Sequence, residues 1–291
     1  KNINRIKESD SADIIDITIK NYAIYNTFFV ELQDKLSKDG NKLNYKLNAL
    51  NFMVMHSTFM FNGFINDLIT NNYYSLKINI RVIIEYYFKL LFLLYSDDYV
   101  SQLYLDFDDV YLYNLSRKNN YNLKMRTEEN EKLEILYNDI VRKYKLPENI
   151  KEDYWIKLAL EHNTGKTSKK SIQKIIEWLK DLKVIDDAII VAYEFNCDFN
   201  HCGIGSLNYQ QMIDLYDSEN KFYDIYHPIL VEFNYVLINI ITRYMEVYPE
   251  YKNQEVIDKL EKNMNLIIKK GKWLKNVYRR SIRRYDYAIV I

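Results

Sequence analysis

Proline and glycine are scarce in this sequence, with three prolines and six glycines among 291 residues. Because these two residue types interrupt regular structure most often, their scarcity argues against a fold of many short strands and turns and favours long helices. Hydrophobic residues make up 48% of the chain, enough to form a packed core. The composition is therefore that of a globular, helical protein rather than a disordered one.

Cysteine and histidine are also rare. The two cysteines, Cys197 and Cys202, are five residues apart and point in different directions on a helix, so the sequence indicates reduced thiols and no disulfide framework. The four histidines are widely scattered, which argues against a structural zinc site. We therefore expect a cytoplasmic protein that binds no metal and needs no cofactor.

The chain carries no net charge, because 40 basic residues balance 40 acidic ones. Any attraction to nucleic acid or to a membrane must therefore be local. Long uncharged apolar runs are missing as well. The most apolar segments, residues 78–95 and 229–241, are interrupted by charges or too short for the ~20 apolar residues of a membrane span, so we expect no transmembrane helix.

Apolar residues recur at every third or fourth position along most of the chain, which is the spacing of amphipathic helices. One apolar face is traced by Phe52, Met55, Phe59, Gly63 and Asn66. The pattern predicts ten helices, near residues 9–37, 43–71, 74–96, 98–117, 127–145, 150–161, 168–181, 185–201, 218–247 and 253–284.

These helices are predicted to form one all-α helical-bundle domain with an appended basic C-terminal helix. We divide the chain into an N-terminal helix (1–45), a helical core that carries the candidate site (46–248) and a C-terminal basic helix (249–291). Thr167 and Ser168 are the predicted N-cap of the seventh helix.

A charged stripe runs along the otherwise apolar helix predicted at residues 74–96. Lys77, Arg81, Glu85 and Lys89 follow each other at four-residue steps, so they lie on one face. Two interpretations fit this pattern. The stripe is either a solvent-facing strip of weak ion pairs, or it faces a cleft in which Glu85 orients Arg81. The second interpretation makes Arg81 and Glu85 candidate catalytic residues.

A second group of polar residues lies at the end of the helix predicted at residues 185–201. Tyr193, Cys197 and His201 follow each other at four-residue steps, and Asn196 and Asn200 are also one turn apart. A histidine in the last turn of a helix is stabilised by the helix dipole, which is a purely structural explanation. Alternatively, His201 is a general acid or base beside a glycine-containing loop that a substrate can approach closely.

The C-terminal segment at residues 269–284 contains eight basic residues and no acidic one. Phosphate backbones are the natural partner of such a patch. The candidate nucleic-acid contacts are Lys275, Arg279, Arg280, Arg283 and Arg284. A solvated terminal helix that pairs with acidic residues elsewhere in the protein explains the same pattern equally well.

Residues 75–85, 165–172 and 193–201 form three blocks whose order and spacing resemble those of a large, mostly uncharacterised family of bacterial helical proteins. The first block resembles the family's Leu-Arg-x-x-x-Glu helix, with Arg81 and Glu85 at the matching positions. The last block resembles its Tyr-x-x-x-Ser-x-x-x-His helix, except that Cys197 stands where the family has Ser. The resemblance extends from about residue 50 to 210, and the family has no settled activity.

Asn196 and His201 carry a second resemblance, to the HEPN-type helical ribonucleases of toxin–antitoxin and anti-phage systems. The HEPN signature is an Arg, four to six further residues and a His on one helix, often with Asn directly after the Arg. Here Phe195 stands in the place of that Arg. The resemblance therefore requires that Arg81, on an earlier helix, supplies the cation.

These resemblances imply a metal-independent ribonuclease or nucleotide-processing toxin of bacterial anti-phage defence, acting as a homodimer on RNA or a nucleotide. They imply that His201 is general acid or base, that Arg81 stabilises charge on the phosphoryl oxygens, and that Glu85 holds Arg81 in place. The residues expected to bind substrate are Tyr193, Asn196, Cys197 and Asn200.

The alternative is a non-enzymatic helical sensor, or a subunit that binds a partner protein of a defence system. Buried polar and charged groups must be paired. Arg81, Glu85 and His201 could meet that requirement as a structural polar network without catalysing a reaction.

Overall fold

The computed structural model describes residues 10–38, 45–70, 72–117, 127–147, 150–151, 153–166, 171–200 and 220–270. These residues form ten α-helices and one short 3₁₀ helix, and none of them belongs to a β-strand. The predicted all-α fold class is therefore confirmed. Within the same ranges, no helix has the length and apolar character needed to cross a membrane.

The helices occur in the predicted order. They are α1 (Asp10–Lys38), α2 (Tyr45–Ile69), α3 (Tyr73–Tyr95), α4 (Asp98–Arg117), α5 (Thr127–Tyr144), α6 (Tyr154–Thr164), α7 (Ile172–Asp181), α8 (Asp187–Asn200), α9 (Asn220–Val247) and α10 (Gln254–Lys270), with the 3₁₀ helix Pro249–Tyr251 between the last two. The part of the tenth predicted helix that follows residue 270 lies outside the described residues.

Helix α7 begins at Ile172, four residues later than predicted. Its N-cap is Ser171, whose backbone is extended and whose hydroxyl accepts a hydrogen bond from the Gln173 N–H at 3.2 Å. The predicted N-cap at Thr167 and Ser168 is therefore wrong. Several Ser and Thr residues precede this helix, and the one that caps it lies directly before the apolar run that the helix buries.

Helix α3 lies at the centre of the bundle and packs against α2, α7, α8 and α9. A helix that is apolar nearly all round needs neighbours nearly all round. The buried residues of α3 include Leu76, Ile80, Ile83, Ile84, Tyr87, Phe88 and the run 90–94. This central position explains why the charged stripe of α3 is confined to one narrow face.

The face of α2 traced by Phe52, Met55 and Phe59 points to solvent. These three side chains are 45%, 51% and 73% exposed, whereas Leu50 and Phe61 on the opposite face are buried. Helix α2 is thus apolar on two sides. Periodicity locates both apolar stripes, but it does not tell which of them the neighbouring helices cover.

A chain of amide groups connects α1 to α9 and α10 inside the core. Asn21 donates to Asn234 Oδ1 at 2.6 Å, and Asn234 donates to Thr18 Oγ1 at 2.9 Å. Asn263 of α10 donates to Asn21 Oδ1 at 2.7 Å. Because a buried amide left without a partner costs about 1–3 kcal/mol, these bonds favour one register of the three helices over others.

His227, at the contact of α9 with α10, should make the stability of the protein depend on pH. The residue is buried, and its Nε2 atom lies 2.8 Å from the backbone oxygen of Ile267. Burial lowers the pKa of His227 below its ordinary value, although the hydrogen bond to Ile267 opposes this effect. The unfolded chain therefore binds the proton more tightly. We expect this contribution to stability to be complete above about pH 6.5 and to be lost as the pH falls further.

Urea unfolding at several values between about pH 8 and pH 5 measures this dependence. A His227→Gln variant has no titrating group at this position, so its stability should fall less on acidification than that of the wild type. His56→Gln is the matched control, because it removes a histidine from an exposed position on α2 by the same substitution. An equal loss of stability in wild type and His227→Gln would contradict the prediction.

Candidate functional site

The candidate site lies where α3 packs against α8. Arg81 of α3 donates from Nε to the Cys197 sulfur of α8 at 3.3 Å. The guanidinium carbon of Arg81 also lies 5.9 Å from the centroid of the Tyr193 ring, one turn earlier on α8. Residues predicted from two separate segments of the sequence therefore meet.

Glu85 connects Arg81 to Lys89 along the stripe of α3. The Glu85 carboxylate lies 2.8 Å from Lys89 Nζ but 3.7 Å from Arg81 Nη2. The longer contact is an ion pair beyond hydrogen-bond distance. Glu85 thus binds Lys89 more closely, and among the described residues no acceptor lies within hydrogen-bond distance of the terminal nitrogens of Arg81.

The part of the stripe from Arg81 to Lys89 is neither buried nor fully open to solvent. The side chains of Arg81, Glu85 and Lys89 are 24%, 27% and 28% exposed. The hydrogen bond to Cys197 is the main reason why the pKa of Arg81 lies above its ordinary value, with burial opposing it. Arg81 therefore presents a permanent, partly shielded positive charge, and such a charge attracts an anion more strongly than one in open water.

Tyr193 forms the inner wall of the site. Its ring is buried and packs edge-on against Phe88, with 5.6 Å between the ring centroids. Burial raises the pKa of the Tyr193 phenol, and the neighbouring Cys197 adds to this effect. Tyr193 is therefore neutral near neutral pH and holds Arg81 through its ring face.

Behind this wall, a buried polar layer joins α3, α8 and α9. Asn196 is completely buried and donates from Nδ2 to the Glu232 carboxylate at 2.9 Å. Lys77 and Glu232 are only 2% and 7% exposed, and each charge acts on the other. Burial lowers the pKa of Lys77 and raises the pKa of Glu232, and the attraction between the two charges opposes both shifts.

Glu232 is the residue of this region that sequence analysis missed. In the sequence, Glu232 is a single charge that interrupts the apolar segment at residues 229–241. Because a buried charge must be paired, a lone acid in such a segment is a signal that a basic partner lies nearby. The sequence pattern does not identify Lys77 as that neighbour, since the two residues belong to helices far apart along the chain.

The structure brings four predicted site residues together, Arg81, Glu85, Tyr193 and Cys197, and places Asn196 in the buried layer behind them. Asn200 ends α8, and its side chain is outside the described part of the protein. His201 also lies outside the described residues, as do Lys275, Arg279, Arg280, Arg283 and Arg284. Their roles stay predictions. Asn196 contacts Glu232 rather than open space, so a direct contact with substrate stays a prediction as well.

A histidine–carboxylate pair occurs at the start of α4, away from this site. His162 Nε2 lies 2.8 Å from Asp97 Oδ2, and its ring packs on Tyr99. Asp97 also accepts a hydrogen bond from the Val100 N–H at 3.2 Å, as a residue that caps a helix does. The pair is therefore explained by the capping of α4. In the ranges that the structure describes, no group of three His, Cys, Asp or Glu side chains could hold a metal ion.

Comparison with known proteins adds no further guide to this site. No protein-family model matches the chain, and neither a curated protein nor a solved structure matches it. The interpretation of the site therefore rests on its geometry and on the sequence motifs.

Proposed function

We propose that this protein is a metal-independent ribonuclease or nucleotide-processing enzyme of bacterial anti-phage defence, with its active centre at the α3–α8 contact. The observation that carries the proposal is the hydrogen bond from Arg81 to Cys197. This bond holds the guanidinium group of Arg81 against α8, and His201 follows Cys197 four residues later in the sequence. A guanidinium group is the side chain best suited to bind phosphate oxygens.

In this proposal Arg81 binds the phosphate through its terminal nitrogens. Two features support that role: Glu85 is bound more closely by Lys89 than by Arg81, and Tyr193 and Cys197 hold the guanidinium from the inner side. His201 takes the proton of the ribose 2′-hydroxyl or gives a proton to the leaving oxygen. Arg81 then stabilises the charge that develops on the phosphoryl oxygens.

RNA or a nucleotide is the substrate, and the basic residues 269–284 hold the nucleic-acid backbone. The protein acts in the cytoplasm, where such a substrate is present, as a homo-oligomer and together with a partner protein of the defence system.

Expression in a bacterial host tests the proposal directly. Wild-type protein should arrest growth and degrade total RNA, whereas His201→Ala, present at an equal level by immunoblot, should do neither. Arg142→Ala is the control, because Arg142 forms an exposed ion pair with Asp139 away from the site and should behave as wild type. Intact RNA with every variant, or equal degradation by wild type and His201→Ala, counts against the proposal.

The second candidate function is a non-enzymatic sensor or partner-binding subunit. The observation that favours it is the buried layer of Lys77, Asn196 and Glu232, which is closed to solvent and joins three helices. On this view Arg81 and His201 belong to a network that holds α8 in place. His201→Ala should then lower the free energy of unfolding by about 1–3 kcal/mol, whereas loss of a purely catalytic group should leave it almost unchanged.

A further inference from the structure

The outer face of α2 carries no charged residue, which is unusual for an exposed helix surface. Lys46 and Asp67, the two charged residues of this helix, lie near its ends and are only partly exposed. The exposed positions of α2 are Tyr45, Asn48, Phe52, Met55, His56, Phe59, Asn62, Asn66 and Ile69. By contrast, α5 exposes seven charged residues: Glu129, Glu131, Lys132, Glu134, Asp139, Arg142 and Lys143.

The exposed positions of α2 follow the spacing of a coiled-coil seam. Apart from His56, they alternate at steps of three and four residues from Tyr45 to Ile69, over the whole helix. This is the a/d pattern through which two helices pack side by side. We call the eight positions 45, 48, 52, 55, 59, 62, 66 and 69 the α2 seam.

The apolar residues of the α2 seam are too exposed for a helix that faces only water. Phe59 is 73% exposed, Met55 51%, Phe52 45% and Ile69 49%. At about 200 Å² for each large side chain, these four residues leave about 400 Å² of apolar surface. That is about half of the 800 Å² per partner that a stable interface buries.

Other exposed side chains, in the seam and on the neighbouring helix α1, can supply the rest of this area. Tyr45, at the start of the seam, is 52% exposed, and Val30 of α1 is 57% exposed. Val30 lies between Tyr22 and Gln33, which bond to residues of α2 and so place this part of α1 against it. Together with the three asparagines of the seam, these side chains add to the area that a partner can bury.

We propose that a second copy of this chain packs on the α2 seam, with the two α2 helices parallel and in register. In that arrangement each position meets its own equivalent across a two-fold axis. Phe52, Met55 and Phe59 then form three consecutive apolar layers. Asn48, Asn62 and Asn66 face their equivalents, and asparagine pairs of this kind fix the register of two-stranded seams.

The charge of the seam favours a second copy as its partner, and the order of its residues favours a parallel arrangement. Because the seam is uncharged and the chain has no net charge, two copies approach without repulsion. An antiparallel pair that overlaps over the whole seam would place Phe52 opposite Asn62, so in two layers an apolar ring would face an amide. The parallel pair avoids this mismatch. The inference concerns assembly and does not depend on the proposed nuclease activity.

The mass of the full chain in solution tests the proposal. Sedimentation equilibrium of wild-type protein should give twice the 35.2 kDa of one chain. Phe59→Asp should give the mass of a single chain while its helical circular dichroism stays that of wild type, because the side chain is mostly exposed. Ile135→Asp is the matched control: Ile135 is a 60% exposed apolar residue of α5, outside the seam, and its replacement should leave the dimer intact.

Disulfide trapping tests the register. Under mild oxidation Asn66→Cys should form a covalent dimer that wild-type protein, with its native cysteines, does not form. In an antiparallel pair that overlaps over the whole seam, each new cysteine would face Asn48, about 27 Å along the helix axis from the other cysteine, and the two would not react. The proposal is overturned if wild-type protein is a monomer or if the dimer survives Phe59→Asp. It is also overturned if Phe59→Asp disrupts the dimer but Asn66→Cys forms no crosslink.

Discussion

A chain in which methionine replaces Lys77 should be less stable than wild type by about 1–3 kcal/mol. The substitution keeps most of the side-chain volume, so the cost is not one of packing. It arises because Glu232, buried between α3 and α9, loses the attraction of the Lys77 charge. An uncompensated charge in the core is among the most destabilising changes that a single substitution makes.

Urea unfolding followed by circular dichroism measures this loss. The matched control is Lys89→Met on the same stripe, since Lys89 is partly exposed and its pair with Glu85 is worth at most about 1 kcal/mol. The double variant Lys77→Met with Glu232→Gln removes both charges and keeps an oxygen that can accept from Asn196. It should therefore be more stable than the Lys77→Met variant alone. Equal losses for Lys77→Met and Lys89→Met would show that the Lys77 charge is not needed in the core.

The stability that the Lys77→Met variant loses relative to wild type should also depend on pH. Burial already raises the pKa of Glu232 in the wild-type protein, and removal of Lys77 takes away the charge that opposes this shift. The folded state then binds a proton at Glu232 more tightly than the unfolded state does. The deficit of Lys77→Met should therefore be largest near neutral pH and shrink as the pH falls toward the ordinary carboxylate pKa.

Replacing Arg81 by alanine should reduce RNA cleavage at least about 100-fold if Arg81 stabilises the charge on the phosphoryl oxygens. The same replacement should change stability by only about 1 kcal/mol or less, because the Arg81–Glu85 ion pair is long and partly exposed. Cleavage of a labelled RNA by purified protein, at matched helical content, measures the first quantity. Urea unfolding measures the second.

Three variants sharpen the interpretation of Arg81→Ala. Arg81→Lys keeps the charge but loses the Nε donor to Cys197 and the forked geometry, so it should recover only part of the activity. Cys197→Ser keeps an acceptor for Arg81 and should cleave RNA nearly as wild type does. Arg142→Ala should be indistinguishable from wild type. Full activity of Arg81→Ala would remove Arg81 from the catalytic machinery, and a large loss of stability would favour the structural network.

The sequence is informative about the fold because periodicity is a local property. The apolar run from Ile80 to Leu94 predicts a helix that needs neighbours on nearly every side, and α3 has four of them. The four-residue spacing of Lys77, Arg81, Glu85 and Lys89 likewise predicts their common face. Such patterns require no knowledge of which helix packs against which.

The candidate site is less accessible to sequence reasoning because it depends on contacts between distant segments. Arg81 and Cys197 are separated by 116 positions, and only the resemblance of their motifs to known families connected them before the structure did. Lys77 and Glu232 had no such motif. The exposed seam of α2 shows the same limit: the sequence marks its apolar spacing, but only the packing of α3 on the opposite face shows that the seam is left outside.

The central position of α3 also decides which part of the site can move. A helix enclosed by four neighbours cannot shift without repacking the whole core, because close-packed interiors resist small displacements. Arg81 is therefore carried by an element that keeps its place. We therefore expect any adjustment of the proposed site to a ligand to occur at α8, which carries Tyr193 and Cys197, while Arg81 on α3 keeps its position.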